Sequence, residues 1–243
     1  MSTLFDCRDD SQLLPGMREA RKAIARGQLV VMPTDTVYGI AADAFSASAV
    51  KALLEAKGRG RQSPPPVLVS GIPAMRALVA ELPEPIERLV EAFWPGGLTI
   101  VLPAQPSLTW DLGETHGTVA VRMPDHHLAR ELLEETGPLA VSSANLTGMS
   151  AAVVAQDAKD MLGDSVTVYL DAGPAATGIA STIIDATSLV GGDDPLVRVL
   201  RDGAISREQL RTVLGDLLEP DPAEEPAAVD ETAVAAEPAA GDQ

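Results

Sequence analysis

The chain has 243 residues, 46% of them hydrophobic, which is ample for a substantial core, and a formal net charge of −17. No run of about 18 apolar residues occurs, and the opening MSTLFDCRDD has neither a basic n-region nor an apolar h-region, so no membrane span and no signal peptide are expected and the cytoplasm is the expected compartment. Of the 35 acidic residues, eight lie in 219–243, where there is no basic residue, leaving 27 acidic against 18 basic in the body; this argues against a domain that coats nucleic acid with its whole surface, and any RNA contact is expected to be local.

In chain order, a helix is predicted over 17–26, ending at Gly27, with Ala20, Ile24 and Ala25 on its apolar face. Residues 29–32 form a short unbroken apolar run that reads as a strand buried on both faces. Pro33 has no N–H for an interior ladder and ends it, delivering Thr34, Asp35, Thr36 and Tyr38 at the strand's carboxyl end. Open α/β sheets bind ligands there, although Thr34 and Asp35 are equally ordinary turn formers or N-caps. Ser46 or Ser48 can cap a helix reaching about Lys57, with Gly58 as its stop, which reads as strand, loop, helix.

A basic, Pro-rich loop KGRGRQSPPP and a strand at 67–69 come next, then helices over 73–80 and 84–93, a WPGG turn and a strand at 98–102. Strands at 119–121 and 139–141 flank a helix over 128–135, and the second opens into the loop SSANLTG. A helix over 155–162, a strand at 166–170, a Gly/Ala loop to Ser181 and strands at 182–184 and 197–200 lead to a last helix, which starts at Ser206 with Gln209 completing a capping box and ends near Leu218. Residues 219–243 are Ala, Pro, Glu and Asp with too little apolar surface to offset ordering entropy, and read as a disordered acidic tail. With no repeat and no linker before it, residues 1–218 are expected to form one α/β domain, a twisted mixed sheet flanked by helices. The strand order is not readable.

Several chemistries lack their signatures. GRGRQS has no third glycine and follows a helix, so it is neither a dinucleotide fingerprint nor a Walker A loop. His116, His126 and His127 lack metal-ligand spacing, no GxSxG elbow occurs, and the single cysteine, Cys7, is given no role. No protein-held metal is expected. Two loops remain. Lys57, Arg59 and Arg61 put three cations in five residues beside glycines, which suits a polyphosphate, though a solvated basic turn at a helix C-terminus would look the same. Ser142, Ser143, Asn145 and Thr147 crowd more donors and acceptors into one loop than a cap requires.

Taken together, PTDTVYG at 33–39, KGR at 57–59, WPGGLT at 94–99, TVAVRMP at 118–124, SSANLTG at 142–148, ST at 181–182 and RDGAIS at 201–206 resemble the YrdC-like family, the threonylcarbamoyl-AMP synthases, over roughly residues 15–213. The resemblance implies that L-threonine, bicarbonate and ATP give threonylcarbamoyl-AMP and pyrophosphate, the first half of tRNA threonylcarbamoyladenosine synthesis. It also implies Mg²⁺ arriving with ATP and a separate tRNA threonylcarbamoyl transferase as partner. By motif, Lys57 and Arg59 match the family's KxR and would hold the triphosphate, and Ser143 and Asn145 match its SxN and would complete the ATP site; these four are the implied catalytic set. Thr118 and Arg201 are further nucleotide candidates, and Thr36, Arg122 and Ser181 sit where the family binds threonine. For Arg122 the ordinary alternative is an ion pair with one of the body's many carboxylates.

Two departures accompany the resemblance: Gly60 and Pro66 stand where many relatives have proline and leucine, and the chain resembles the short form without a folded C-terminal domain. The competing readings are a non-catalytic RNA-binding or ribosome-associated module of the same fold, and a paralogue with another carbamoyl-adenylate chemistry.

Overall fold

The computed structural model describes residues 2–191 and 195–221; most of the expected tail, 222–243, lies outside the described residues. The elements are β1 (Thr3–Asp6), α1 (Asp10–Ala25), β2 (Val30–Met32), β3 (Gly39–Asp43), α2 (Ala47–Ala56), β4 (Val67–Leu68), α3 (Ile72–Leu78), α4 (Glu84–Phe93), β5 (Leu98–Pro103), β6 (Thr118–Arg122), α5 (His127–Thr136), β7 (Leu139–Ser143), α6 (Ala155–Leu162), β8 (Val168–Asp171), β9 (Thr182–Asp185), β10 (Arg198–Arg201) and α7 (Arg207–Leu214). The α/β architecture is as expected: one mixed ten-stranded sheet in the order β1-β8-β2-β3-β7-β4-β6-β5-β9-β10. None of the described helices is long and apolar enough to cross a membrane.

Three differences from the sequence reading have local causes. The first helix starts at Asp10, not near residue 17, because Asp9 caps it through a bond from the Ser11 N–H and it continues through Pro15. Gly16 lies against β1, a strand the sequence did not announce: a Cβ there would lie 2.8 Å from Phe5 Cβ, so the glycine lets the helix seat closely on that strand. The second unannounced strand, β3, pairs antiparallel with β2, Val31 opposite Ile40. PTDTVYG is therefore a connection between neighbouring strands and not the loop between a strand and a helix. Its strand GIAAD was hidden by small residues of low β-propensity, yet Gly39 is needed there, since a Cβ would meet Val141 Cγ1 at 2.6 Å. Third, Glu219 and Asp221, placed by composition in the tail, hold on to the body: the Glu219 N–H donates to the Val197 carbonyl, and Arg207 and Arg211 pair with the two carboxylates.

Burial divides the sheet into two halves. Around β2 both faces are covered, as its apolar run implied: Val30 and Met32 pack with Met17, Ile24, Leu128 and Leu132 of α1 and α5, whereas Val31 packs with Leu53, Leu54 and Leu162 of α2 and α6. Around β5 the helices α4 and α7 cover one face only. Leu98, Ile100 and Leu102 point into that core with Ile86, Leu89 and Leu210, and the alternate residues Thr99 and Val101 are left on the other face.

Candidate functional site

The uncovered face is a cleft of about 400 Å³. Strand register explains its place: it lies where the carboxyl ends of β2, β6, β7 and β10 meet the amino ends of the antiparallel β3, β5 and β9. Seven of the nine residues singled out from the sequence line it, namely Thr36, Arg59, Thr118, Arg122, Ser143, Ser181 and Arg201. These come from six separate segments, so only the tertiary fold brings them together.

Arg122 is the buried cation of this wall, 6% exposed. Its Nε donates to the Gly96 carbonyl at 2.9 Å, Nη1 to Thr36 Oγ1 at 2.9 Å and Nη2 to Asp35 Oδ1 at 2.5 Å. Burial pushes the guanidinium below its ordinary pKa, Asp35 opposes that, and nearby Arg201 adds repulsion. The ion pair weighed as an ordinary outcome for Arg122 thus exists, and it uses one of five N–H groups. Three are engaged in all, which leaves two for a ligand. Thr36 is set in turn by Thr34, whose Oγ1 lies 3.0 Å from Thr36 Oγ1 and donates to the Val37 carbonyl at 2.6 Å.

Lys57 and Asn145 do not line the cleft. Lys57 is fully buried at the C-terminus of α2, and its ammonium donates to the carbonyls of Ser143 and, at 2.7 Å, Asn145. Its own carbonyl accepts from the Thr147 N–H at 2.9 Å. Asn145 turns its Nδ2 to the carbonyls of Leu146 and Met149, both at 2.8 Å. Both side chains, expected from the sequence at the nucleotide, stand here behind the SSAN loop and bond to its backbone. No carboxylate pairs with Lys57 among the described residues, and burial, with Arg59 nearby, lowers its pKa to about 8. The physical reason for its position is that a helix C-terminus and three oxygen acceptors offer a cation a low-energy place inside the fold.

Arg59 does face the cleft and donates to Ser142 Oγ at 3.3 Å. Across the cavity, Arg201 donates to the Ser181 carbonyl at 2.6 Å and to its hydroxyl at 3.0 Å, and Ser181 Oγ lies 2.9 Å from Thr99 Oγ1. Thr118 closes a turn by donating to the Thr115 carbonyl at 2.7 Å. The sequence reading missed Thr99, Asp35 as a side-chain partner, and an apolar wall that includes Pro64, Leu112, Ile183 and Leu200. Alternation along β5 and β9 was the available signal, but it does not say which face is left open. Glu114 is the single acidic residue among those lining the cleft.

The wall behind Ser181 depends on a glycine. A Cβ on Gly203 would lie 2.3 Å from the Ala180 carbonyl oxygen and 2.5 Å from the Ser181 carbonyl carbon, both backbone atoms. Gly203→Ala is expected to force these segments apart, lowering stability by about 1–3 kcal/mol and weakening ligand binding at Ser181. Thermal unfolding and ligand titration of the variant test this; an unshifted midpoint with unchanged affinity would refute it.

Residues 22–203 match the family model Sua5_yciO_yrdC, described as telomere recombination. A Mycobacterium tuberculosis protein provisionally named threonylcarbamoyl-AMP synthase is 54% identical over 215 residues, 88% of this chain and 96% of that protein. The threonylcarbamoyl-AMP synthase of Bacillus subtilis is 36% identical over 205 residues, 84% of this chain. Among solved structures, that of Pyrococcus abyssi Sua5 complexed with L-threonine aligns at a TM-score of 0.77 and 34% identity over 84% of this chain. This chain spans only 58% and 59% of the Bacillus and Pyrococcus proteins, respectively.

Proposed function

Because this chain belongs to the Sua5/YciO/YrdC family, we propose that its cleft makes threonylcarbamoyl-AMP and pyrophosphate from L-threonine, bicarbonate and ATP, as an L-threonylcarbamoyladenylate synthase and therefore a nucleotidyltransferase. The observation that carries the reading is the convergence of Arg59, Arg122 and Arg201 with the hydroxyls of Thr36, Ser143 and Ser181 around one cavity. That set suits a triphosphate and a carboxylate held side by side.

In this reading the threonine amine attacks the bicarbonate carbon, with loss of water, to give a carbamate. A carbamate oxygen then attacks the α-phosphorus and pyrophosphate leaves. No protein nucleophile is needed, and the residues act by positioning and by neutralising charge. Arg122 takes the threonine carboxylate, and Thr36 and Ser181 read its other polar groups. Arg59, Arg201 and Ser143 face the phosphates, with Thr118 on the nucleotide side, while Lys57 and Asn145 hold the SSAN backbone in place for them. Mg²⁺ enters with ATP: hydroxyls and one carboxylate, Glu114, fit a hydrated ion carried by phosphate oxygens better than a protein cage. The acyl adenylate passes to a separate tRNA threonylcarbamoyl transferase in the cytoplasm, and any contact with tRNA itself is local.

The test is pyrophosphate release from Mg²⁺ and ATP with L-threonine and bicarbonate each omitted in turn and L-serine tried as a substitute. Release that requires both is the expected result. Release indifferent to threonine would favour another carbamoyl-adenylate chemistry, and absence of turnover combined with steeply salt-dependent tRNA binding would favour an RNA-binding module.

A further inference from the structure

Asp35 ties three loops to one another. Its Oδ1 accepts from Arg122 Nη2 at 2.5 Å and from the Asp125 backbone N–H at 3.0 Å, and its carbonyl accepts from the Thr177 N–H and hydroxyl, both at 3.2 Å. The pair is sheltered, with the Arg122 and Asp35 side chains 7% and 14% exposed. Among the described residues it is the one carboxylate hydrogen-bonded to an arginine of the cleft wall: Arg59 bonds to Ser142 and Arg201 to Ser181. Without it, one edge of the Arg122 guanidinium would have no acceptor, and repulsion from Arg201 would be unopposed.

We propose that Asp35 is a positioning residue that holds Arg122 for the α-carboxylate of the amino-acid substrate and so sets the preference for a free amino acid over a carboxylate-blocked one. The proposal rests on the threonine reading of the cleft. A guanidinium clamped at Nε by Gly96, at Nη1 by Thr36 and at Nη2 by Asp35 has its plane fixed on three sides, so the two remaining N–H groups have one orientation. Asparagine at 35 keeps the shape and can still accept one hydrogen bond, but removes the charge that holds Nη2.

Calorimetric titration of L-threonine, L-threonine amide and ATP into wild type and Asp35→Asn tests this, with thermal unfolding as a control for folding. Expected is a loss of L-threonine affinity of about 10- to 100-fold, the range for losing a hydrogen bond to a charged group. ATP affinity should change by less than about threefold and the preference for L-threonine over its amide should shrink about tenfold or more, since general loosening of the fold does not select the carboxylate. Equal losses for the acid and the amide, a parallel loss for ATP, or unchanged threonine affinity would overturn the positioning role while leaving the threonine reading intact. Failure of the wild type to bind L-threonine at all would overturn that reading and the proposal together.

Discussion

Replacing Lys57 by methionine will lower pyrophosphate release by about two orders of magnitude or more, although Lys57 does not line the cleft. The substitution conserves length and burial but strips a donor from the carbonyls of Ser143 and Asn145. The Ser143 carbonyl keeps the Asn145 N–H at 2.9 Å, but the Asn145 carbonyl loses its donor, at about 1–3 kcal/mol, and the SSAN backbone can recover this only by moving, which displaces Ser143 from the wall. The same lysine makes stability depend on pH in a direction that can be worked out. It has an ordinary pKa of 10.5 and a folded pKa of about 8, lowered first by burial and then by Arg59. Below pH 8 it is protonated in both states and the burial penalty is complete. Between about pH 8 and 10.5 the unfolded chain keeps the proton that the folded chain has released, so Lys57 favours folding increasingly as pH rises, by up to about 3 kcal/mol. Urea titrations at pH 7, 9 and 10 should show this contribution in wild type and not in Lys57→Met. Superimposable pH dependences would refute the buried, unpaired ammonium.

Arg122→Ala will abolish threonine-dependent turnover almost completely. Two hydrogen bonds to a charged carboxylate, each worth about 1.5–3 kcal/mol, correspond together to roughly 10²- to 10⁴-fold in kcat/KM for L-threonine, and breaking the buried pair separately costs about 3–5 kcal/mol of stability. The stability cost comes from the Asp35 carboxylate left without its cation, and the loss of turnover from the lost fork itself. Arg122→Lys separates the two. A lysine restores charge near Asp35, but its single ammonium cannot replace donors to Gly96, Thr36 and Asp35 together with two more for a ligand. Lys at 122 is therefore expected to recover stability, read as the unfolding midpoint, without recovering threonine affinity. Recovery of both would show that point charge alone suffices and would sink the bidentate role.

Much of the fold was legible because its signals are local. The α4 boundaries follow from Pro85 in the first turn and an apolar face of Ile86, Leu89 and Val90, and the start of α7 from the Ser206–Gln209 capping box. Strands β1 and β3 were not legible, since one opens a polar stretch and the other is built mainly from glycine and alanine; β1 exists because β8 supplies hydrogen bonds along its one paired edge, and β3 because β2 and β7 flank it. In the site, motif resemblance singled out nine residues, of which the fold gathers seven at one cleft and sets Lys57 and Asn145 behind the SSAN loop, and it assigned no role to Asp35 or Thr99 within its motifs. A residue type and spacing say that a cation or hydroxyl is present. They do not say whether it points to a cavity or to a carbonyl.

The sequence by itself supplied the motif residues, seven of which the fold brings to one cleft, and it determined the covering of the β2 half of the sheet, because unbroken apolar strands demand burial on both faces. Tertiary structure alone decided strand order, which face of β5, β6 and β9 stays open, and which oxygen each buried cation meets. Those outcomes rest on pairings between segments more than 80 residues apart, such as Lys57 with Ser143 and Arg122 with Asp35. Their energies depend on desolvation and register, which no local pattern of residues encodes.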